Sequence, residues 1–375
     1  MTLTRGARIT GAVLCAVLGV VAAGWIVRDL RAAGDPQDLL RYWAGYTDAR
    51  PDALPATSQG DPVLFVVCCA ATFAALRSRV AASAMVATGV VTLVLRLPGV
   101  WTIGASWMDG RYGDELRTRA MIGTFVTLAA ALALIVTGSA GRRPSAETRE
   151  PLPTRPGRGA AVAAFLALGA AGAVLLAWEI RQFVTFPSRL YPGWFTGSSA
   201  VRVELTGAPP GWSGAVLALL CLVVAFTALL RAVHARPFGM IAAAFLLFSG
   251  VFGIARAVHH ELLDRFGDLG TEYQLVVLTS FLLALAGATA LPALARGGPA
   301  DADGRGHEGY GYPPSGPGYG YPPPESGYSR PPGEPGYGYP PAGQPGQGPG
   351  HGYPQGGQPG GGFGPPPPAS RPPGW

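Results

Sequence analysis

Between Ile9 and Leu291 the chain passes through eight long apolar stretches that carry almost no charge. They occupy residues 9–27, 62–76, 80–95, 120–136, 160–180, 213–230, 238–255 and 273–291. Crossing the hydrocarbon core of a bilayer takes about 20 such residues, within a range of roughly 17–25. The stretch 62–76 is short for that length, so it is expected to borrow a turn at either end. An unpaired backbone group in lipid costs several kcal/mol, so all eight must be helices. The sequence therefore predicts an all-α integral membrane protein with eight transmembrane helices.

Composition agrees. Hydrophobic residues make up 49% and charged residues only 13% of the chain, against roughly a quarter charged in a soluble globular protein. The formal charge of +6 is carried by arginine alone, because there is no lysine. These arginines stand in ones and twos between apolar runs. Phosphate tracking needs a concentrated positive surface, so nucleic acid is not an expected partner. Cys15, Cys68, Cys69 and Cys221 all lie inside apolar runs and read as small hydrophobes, not as a disulfide framework.

The landmarks of the first four stretches recur in the last four. Trp25-Ile-Val-Arg28 closes the first span and Trp178-Glu-Ile-Arg181 the fifth. Leu76-Arg77 ends the second and Leu230-Arg231 the sixth, while Arg96 and Arg256 end the third and seventh. Gly113-Asp-Glu115 precedes the fourth and Gly270-Thr-Glu272 the eighth. Their shared order predicts a 4+4 repeat. Four helices per unit is even, so the halves enter the membrane in the same direction, as a parallel repeat about an axis along the membrane normal. The expected organisation is a four-helix unit over 1–140, a polar linker over 141–158, a second unit over 159–296 and a tail over 297–375. The first stretch has an alternative reading as a secretory signal, with Arg5 and Arg8 before it and a Val21-Ala-Ala23 cleavage site. The recurrence argues against removal, since the fifth span has no such second use.

The tail is a different polymer. Gly-Tyr-Gly-Tyr-Pro-Pro occurs at 309–314, 318–323 and 336–341, and no Val, Ile, Leu or Met follows Arg296. Such a segment cannot offset its ordering entropy and is expected to be disordered, with local polyproline II character. It reads either as a solubilising linker or as a weak multivalent binder of protein partners through its eight tyrosines. Absent lysine beside abundant Ala, Gly, Pro and Arg points to a G+C-rich coding sequence. In composition and layout the chain resembles multipass membrane proteins of actinobacteria with Pro/Gly/Tyr-rich tails. That resemblance rests on no diagnostic motif and implies no activity.

Arginine counts do not orient the protein, since twelve fall on one face and thirteen on the other once the tail is set aside. The twelve sit in short turns, where the positive-inside rule works best. Trp25, Trp43, Trp101, Trp107, Trp178, Trp194 and Trp212 fall on or beside the opposite face. Both termini are therefore expected on the cytoplasmic side of the cell membrane.

Chemistry is sparse. There is no HExxH, G-x-S-x-G, P-loop or dinucleotide fingerprint, so no cofactor, metal or catalytic residue is assigned. His259 and His260 are adjacent and point roughly 100° apart on a helix, which seldom suits one metal. No span carries a carboxylate at its centre or a Pro-Gly break, which weakens a coupled-transporter reading. Membrane lipids are the expected partners. A non-enzymatic envelope scaffold or binder of lipid or protein leads; a small-solute permease and a lipid-modifying enzyme follow. The candidate site is positional: Arg28, Arg96, Arg181 and Arg256 end spans at one face and pair by repeat. Their guanidinium forks suit phosphate or carboxylate if the helix ends converge, with Trp25 and Trp178 flanking an isoprenoid or acyl chain. The alternative is four independent snorkelling arginines, paired with Asp29, Glu179 or Glu261.

The orientation is tested with single cysteines in intact cells. One placed at Ser145 or Ser315 resists an impermeant thiol reagent and one at Ser198 reacts; labelling at Ser315 overturns the assignment.

Overall fold

The computed structural model describes residues 2–49, 51–78, 80–143 and 155–296, all within one compact unit. The tail, and the linker positions 144–154, lie outside the described residues. Among the described residues eight helices are long and apolar enough to cross a membrane. In the first half these are α1 (Arg5–Ala32), α3 (Gly60–Arg77), α4 (Ala81–Arg96) with its continuation α5 (Gly99–Thr102), and α6 (Asp114–Ala140). In the second half they are α7 (Arg158–Thr185), α9 (Pro210–Leu229), α10 (Ala235–His259) and α11 (Thr271–Ala295). Two short helices, α2 (Pro36–Ala44) and α8 (Tyr191–Thr196), lie in the long connections on one face. The second span takes two residues beyond its apolar stretch at the start and one at the end. Among the described residues the strand content is one two-residue bridge, β1 (Thr2–Leu3) paired antiparallel with β2 (Arg142–Arg143).

Each half is a ring of four helices. α1 packs on α3, α3 on α4, α4 on α6 and α6 back on α1; α7, α9, α10 and α11 close the same circuit. Buried Ala12, Cys15, Cys68, Ala75 and Leu134 fill the first ring, and Ala164, Leu168, Cys221, Ala243 and Leu294 fill the second. The halves meet through the third helix of each, α4 against α10. Beside that seam α4 also touches α9, and α10 touches α3, which are corresponding crossings. Val63, Val67, Ala87, Val91 and Ile241 form its apolar core. Large side chains such as Val20, Phe73, Leu166 and Leu285 point outward, as a lipid-facing surface requires.

Local chemistry sets the helix ends. Thr4 caps α1 by accepting from the Ala7 N–H at 3.2 Å. Asp35 caps α2 through the Gln37 N–H at 2.8 Å, with Pro36 preset at the first turn. Gly45 ends α2 at φ 78°, a left-handed conformation that glycine adopts without steric cost. Pro98 has no N–H to give the carbonyl of Val94, and the indole of Trp212 from the other half supplies that bond at 2.9 Å. Here a helix break becomes an inter-half joint.

The long connections exchange partners across the seam. The loop before α9 reaches the first half, with the Thr206 N–H donating to Ala56 O at 2.9 Å. Val201, Val203 and Leu205 bury against Ile103, Met108 and Tyr112 there. In return the loop after α2 reaches α10: the Tyr46 hydroxyl donates to Ala255 O at 3.2 Å, and its ring stacks on His259 at 3.9 Å. Asp48 lies 2.9 Å from the same imidazole, which holds its carboxyl below the usual value.

Helices approach closely in both halves, most tightly between α10 and α11. A Cβ on Gly287 would stand 2.6 Å from Ala243 O, and one on Gly250 2.7 Å from the Cα of Ala284. A Cβ on Gly169 would meet Ala225 at an ordinary 3.7 Å. Gly287→Ala and Gly250→Ala are therefore expected to cost about 1–3 kcal/mol through overpacking. Gly169→Ala is expected to hold or raise stability, since alanine is worth about 0.5–1 kcal/mol over glycine inside a helix. Thermal melts of the detergent-purified variants check both directions.

Candidate functional site

A cavity of about 650 Å³ opens on the face that carries α2 and α8, between the two halves. Its walls come from α3, α4, α9 and α10, with single contributions from α7 and α11. Its floor is apolar: Val91, Leu217, Leu220, Phe245 and Leu283 line it. Leu220, Phe245 and Leu283 stand close to the middle of their helices, so the floor reaches the centre of the span. Its mouth is polar, built from Tyr42, Asp61, Arg96, Arg202, Glu204 and Arg256.

Asp61 lies in the first turn of α3 and is almost fully buried. One of its oxygens accepts the Ser58 N–H at 2.7 Å and the Ser58 hydroxyl at 3.0 Å; the other pairs with Arg96. The second arm of the Arg96 fork donates to the carbonyl of Thr206 from the opposite half. Arg202 lies 3.9 Å over the Tyr42 ring, donates to Tyr42 O at 3.3 Å and pairs with Glu204 at 3.2 Å. Burial pushes the Tyr42 hydroxyl and the Glu204 carboxyl above their usual values, with Arg202 opposing both shifts. Three arginines thus face two carboxylates at the mouth, which leaves it net positive.

The candidate arginines separate into two kinds. Arg96 and Arg256 both line the cavity. Arg28 pairs with Asp29 at 2.6 Å and reaches Leu54 O at 3.3 Å, holding the strap that leads into α3. Arg181 pairs with Glu272 at 2.7 Å and sits 5.5 Å from the Trp178 ring centre. Trp25 packs on the loop cluster around Ile103 and Met108, and the Trp178 indole donates to Thr279 at 3.0 Å. Neither tryptophan borders the main cavity; each borders a smaller void walled mainly by its own ring. Asp61, Tyr42, Arg202 and Glu204 were not among the site residues chosen from the sequence, although all four lie in the long connections 29–61 and 182–212, whose aromatic and arginine content suits a binding platform. An acid in the first turn of an apolar run was the available signal for Asp61. Arg202 and Glu204 act by crossing to the other half, which no local pattern encodes.

Among the described residues no group of three or more His, Cys, Asp or Glu is placed to hold a metal ion. Comparison with protein-family models, with curated proteins and with solved structures gives no match.

The Glu204 shift has a defined sign. A carboxyl raised above its ordinary value by burial is disfavoured when ionised, so it lowers native stability as pH rises through and beyond the ordinary carboxylate range. Glu204→Gln removes that cost. The variant is expected to melt higher than the parent at neutral pH, with the gain vanishing at acid pH, where the parent carboxyl is already protonated. Melting curves of both proteins across the acid-to-neutral range check this.

Proposed function

We propose that this protein is a non-enzymatic component of the cell membrane that binds an anionic amphiphile in the cavity between its halves. The carrying observation is the polarity gradient of that cavity. Arginines outnumber carboxylates at the mouth, and the floor at mid-span is lined by Leu, Val and Phe. A lipid-like molecule matches both ends, its charged head among the arginines and its apolar part below. A hydrated solute in transit needs polar partners at depth, and the floor residues supply none, so the binder reading is favoured over the permease.

The same reading includes the finer points of organisation. The two rings are copies of one duplicated four-helix unit, a view supported by their matching circuits and corresponding crossings at the seam. Both termini face the cytoplasm, so the cavity opens toward the outer leaflet, where the aromatic side chains of α2 and α8 suit the membrane interface. The kinship proposed is with actinobacterial multipass proteins of the same layout, and the tail serves as a cytoplasmic linker or partner-binding segment.

Lipids extracted from the purified protein and identified by mass spectrometry test the proposal. An anionic amphiphile is expected to co-purify, and Leu217→Trp, which fills the floor, is expected to reduce it without lowering the melting temperature. Undiminished lipid in a folded Leu217→Trp variant would place the bound molecule elsewhere.

A further inference from the structure

A small space lies at the loop-bearing end of each ring, completed in each case by residues of the opposite half, and the two spaces differ in an informative way. In the first half it is lined by Trp25, Thr92, Arg96 and Gly123 and measures about 20 Å³, room for about one water. In the second half it is lined by Trp178, Phe252, Arg256 and Ser280 and measures about 220 Å³. Four lining positions correspond, while Ala44 and Gln59 of the first half complete the wall of the larger recess. Trp25 and Trp178 open the same Trp-x-x-Arg step; Thr92 and Phe252 each stand four residues before the arginine that ends the third or seventh span. Gly123 and Ser280 each stand eight residues after the glutamate that begins the fourth or eighth.

What differs is the counter-charge. Arg96 is satisfied by Asp61 and by Thr206 O. Asp61 stands sixteen residues before Arg77, and sixteen residues before Arg231 the second half has Ala215. Accordingly, among the described residues no ion pair or side-chain hydrogen bond engages the Arg256 guanidinium. It is half-buried and borders both the 220 Å³ recess and the main cavity, which also share Gln59, Ser249 and Leu283. The Cα of Gly45 packs beside it: a Cβ there would lie 3.2 Å from Nη1. Other donors line the recess. Among the described residues the Gln59 amide and the Ser249 hydroxyl have no hydrogen-bond partner, and Thr279 accepts from Trp178 while its own proton has no acceptor. No carboxylate lines the recess.

We infer that Arg256 is the anion-gripping residue of this protein, and that a carboxylate or phosphate of the ligand takes on Arg256 the place that Asp61 holds on Arg96. The recess receives the charged head, with Gln59, Ser249 and Thr279 as neutral donors around the guanidinium fork. The inference deepens the proposed function and rests on it for the apolar part, which runs from the recess into the main cavity.

The test uses the full-length protein purified in mild detergent, with bound lipid read by native mass spectrometry and inorganic phosphate titrated by calorimetry. Arg256→Gln removes the grip, and its folding is protected because no internal ion pair is broken. Phe252→Glu places a carboxylate one turn before Arg256, where glutamate and arginine pair along a helix; Phe252→Gln is its neutral counterpart of equal shape. The parent and Phe252→Gln are expected to retain an anionic lipid, while Arg256→Gln and Phe252→Glu each lower its occupancy about tenfold or more. Equal occupancy in Phe252→Glu and Phe252→Gln, with lipid kept by Arg256→Gln, overturns the role of Arg256 and leaves the cavity reading standing. A parent that carries no lipid but binds phosphate, lost in Arg256→Gln, keeps Arg256 as an oxyanion ligand and overturns the amphiphile. A parent that binds neither overturns both.

Discussion

The ion pair between Asp61 and Arg96 is the joint on which the loop-bearing face depends. A buried pair is tolerated only when the remaining lone pairs and protons are also satisfied, and removing one partner strands a charge at a cost of about 3–5 kcal/mol. Here the conditions are met from several directions. Ser58 fills the second oxygen of Asp61, and Thr206 takes the second arm of Arg96. One charge pair therefore fixes the start of α3, the end of α4, the strap before α3 and a loop from the opposite half. Asp29, equally buried at the end of α1, repeats the device: it accepts the Thr57 N–H at 2.7 Å and its hydroxyl at 2.5 Å while pairing with Arg28. With two carboxylates clamping the strap, the rim of the cavity is held by groups that cannot drift apart cheaply.

Lipid explains why the polar chemistry gathers there. Helices that satisfy their own backbone bonds can present apolar side chains for most of their length, and a charge at mid-span is expensive. Polar residues are thus driven to the helix ends and the long connections. Any cavity between such helices inherits a polar mouth and an apolar floor, and its gradient runs parallel to that of the surrounding bilayer. Trp212 shows how loops and spans are coupled in this setting: its indole repairs the hydrogen bond that Pro98 removes from α4. The repair ties the start of α9 to the seam beside Arg96.

The spans were legible because a run of about 20 apolar residues has few other fates. The short second span needed only three more residues, Gly60, Asp61 and Arg77, to become an 18-residue helix. The candidate site was legible only by height. A helix-end arginine announces its depth in the membrane, but successive residues point about 100° apart, so its direction depends on packing. Arg28 and Arg181 share the depth of Arg96 and Arg256 yet turn to Asp29 and Glu272. Arg202 and Glu204 sit in a loop whose sequence has no periodic signal. Their place at the mouth follows from Thr206 bonding to Ala56, 150 residues away.

On the duplication reading, the contrast between the halves has a physical logic. Two identical rings would offer two half-equipped sites, each with one arginine and space for one ion. Placing an acid at Asp61 converts the first arginine into structure, because a carboxylate supplied by the chain is always at high local concentration and displaces any from outside. The void beside it then shrinks to the size of a water. The second ring has Ala215 at the matching position and keeps both its arginine and its space open. On that reading a symmetric scaffold would acquire one candidate site with one orientation. On the proposed function, the half that lost its freedom supplies the rigidity against which the other half would hold a ligand.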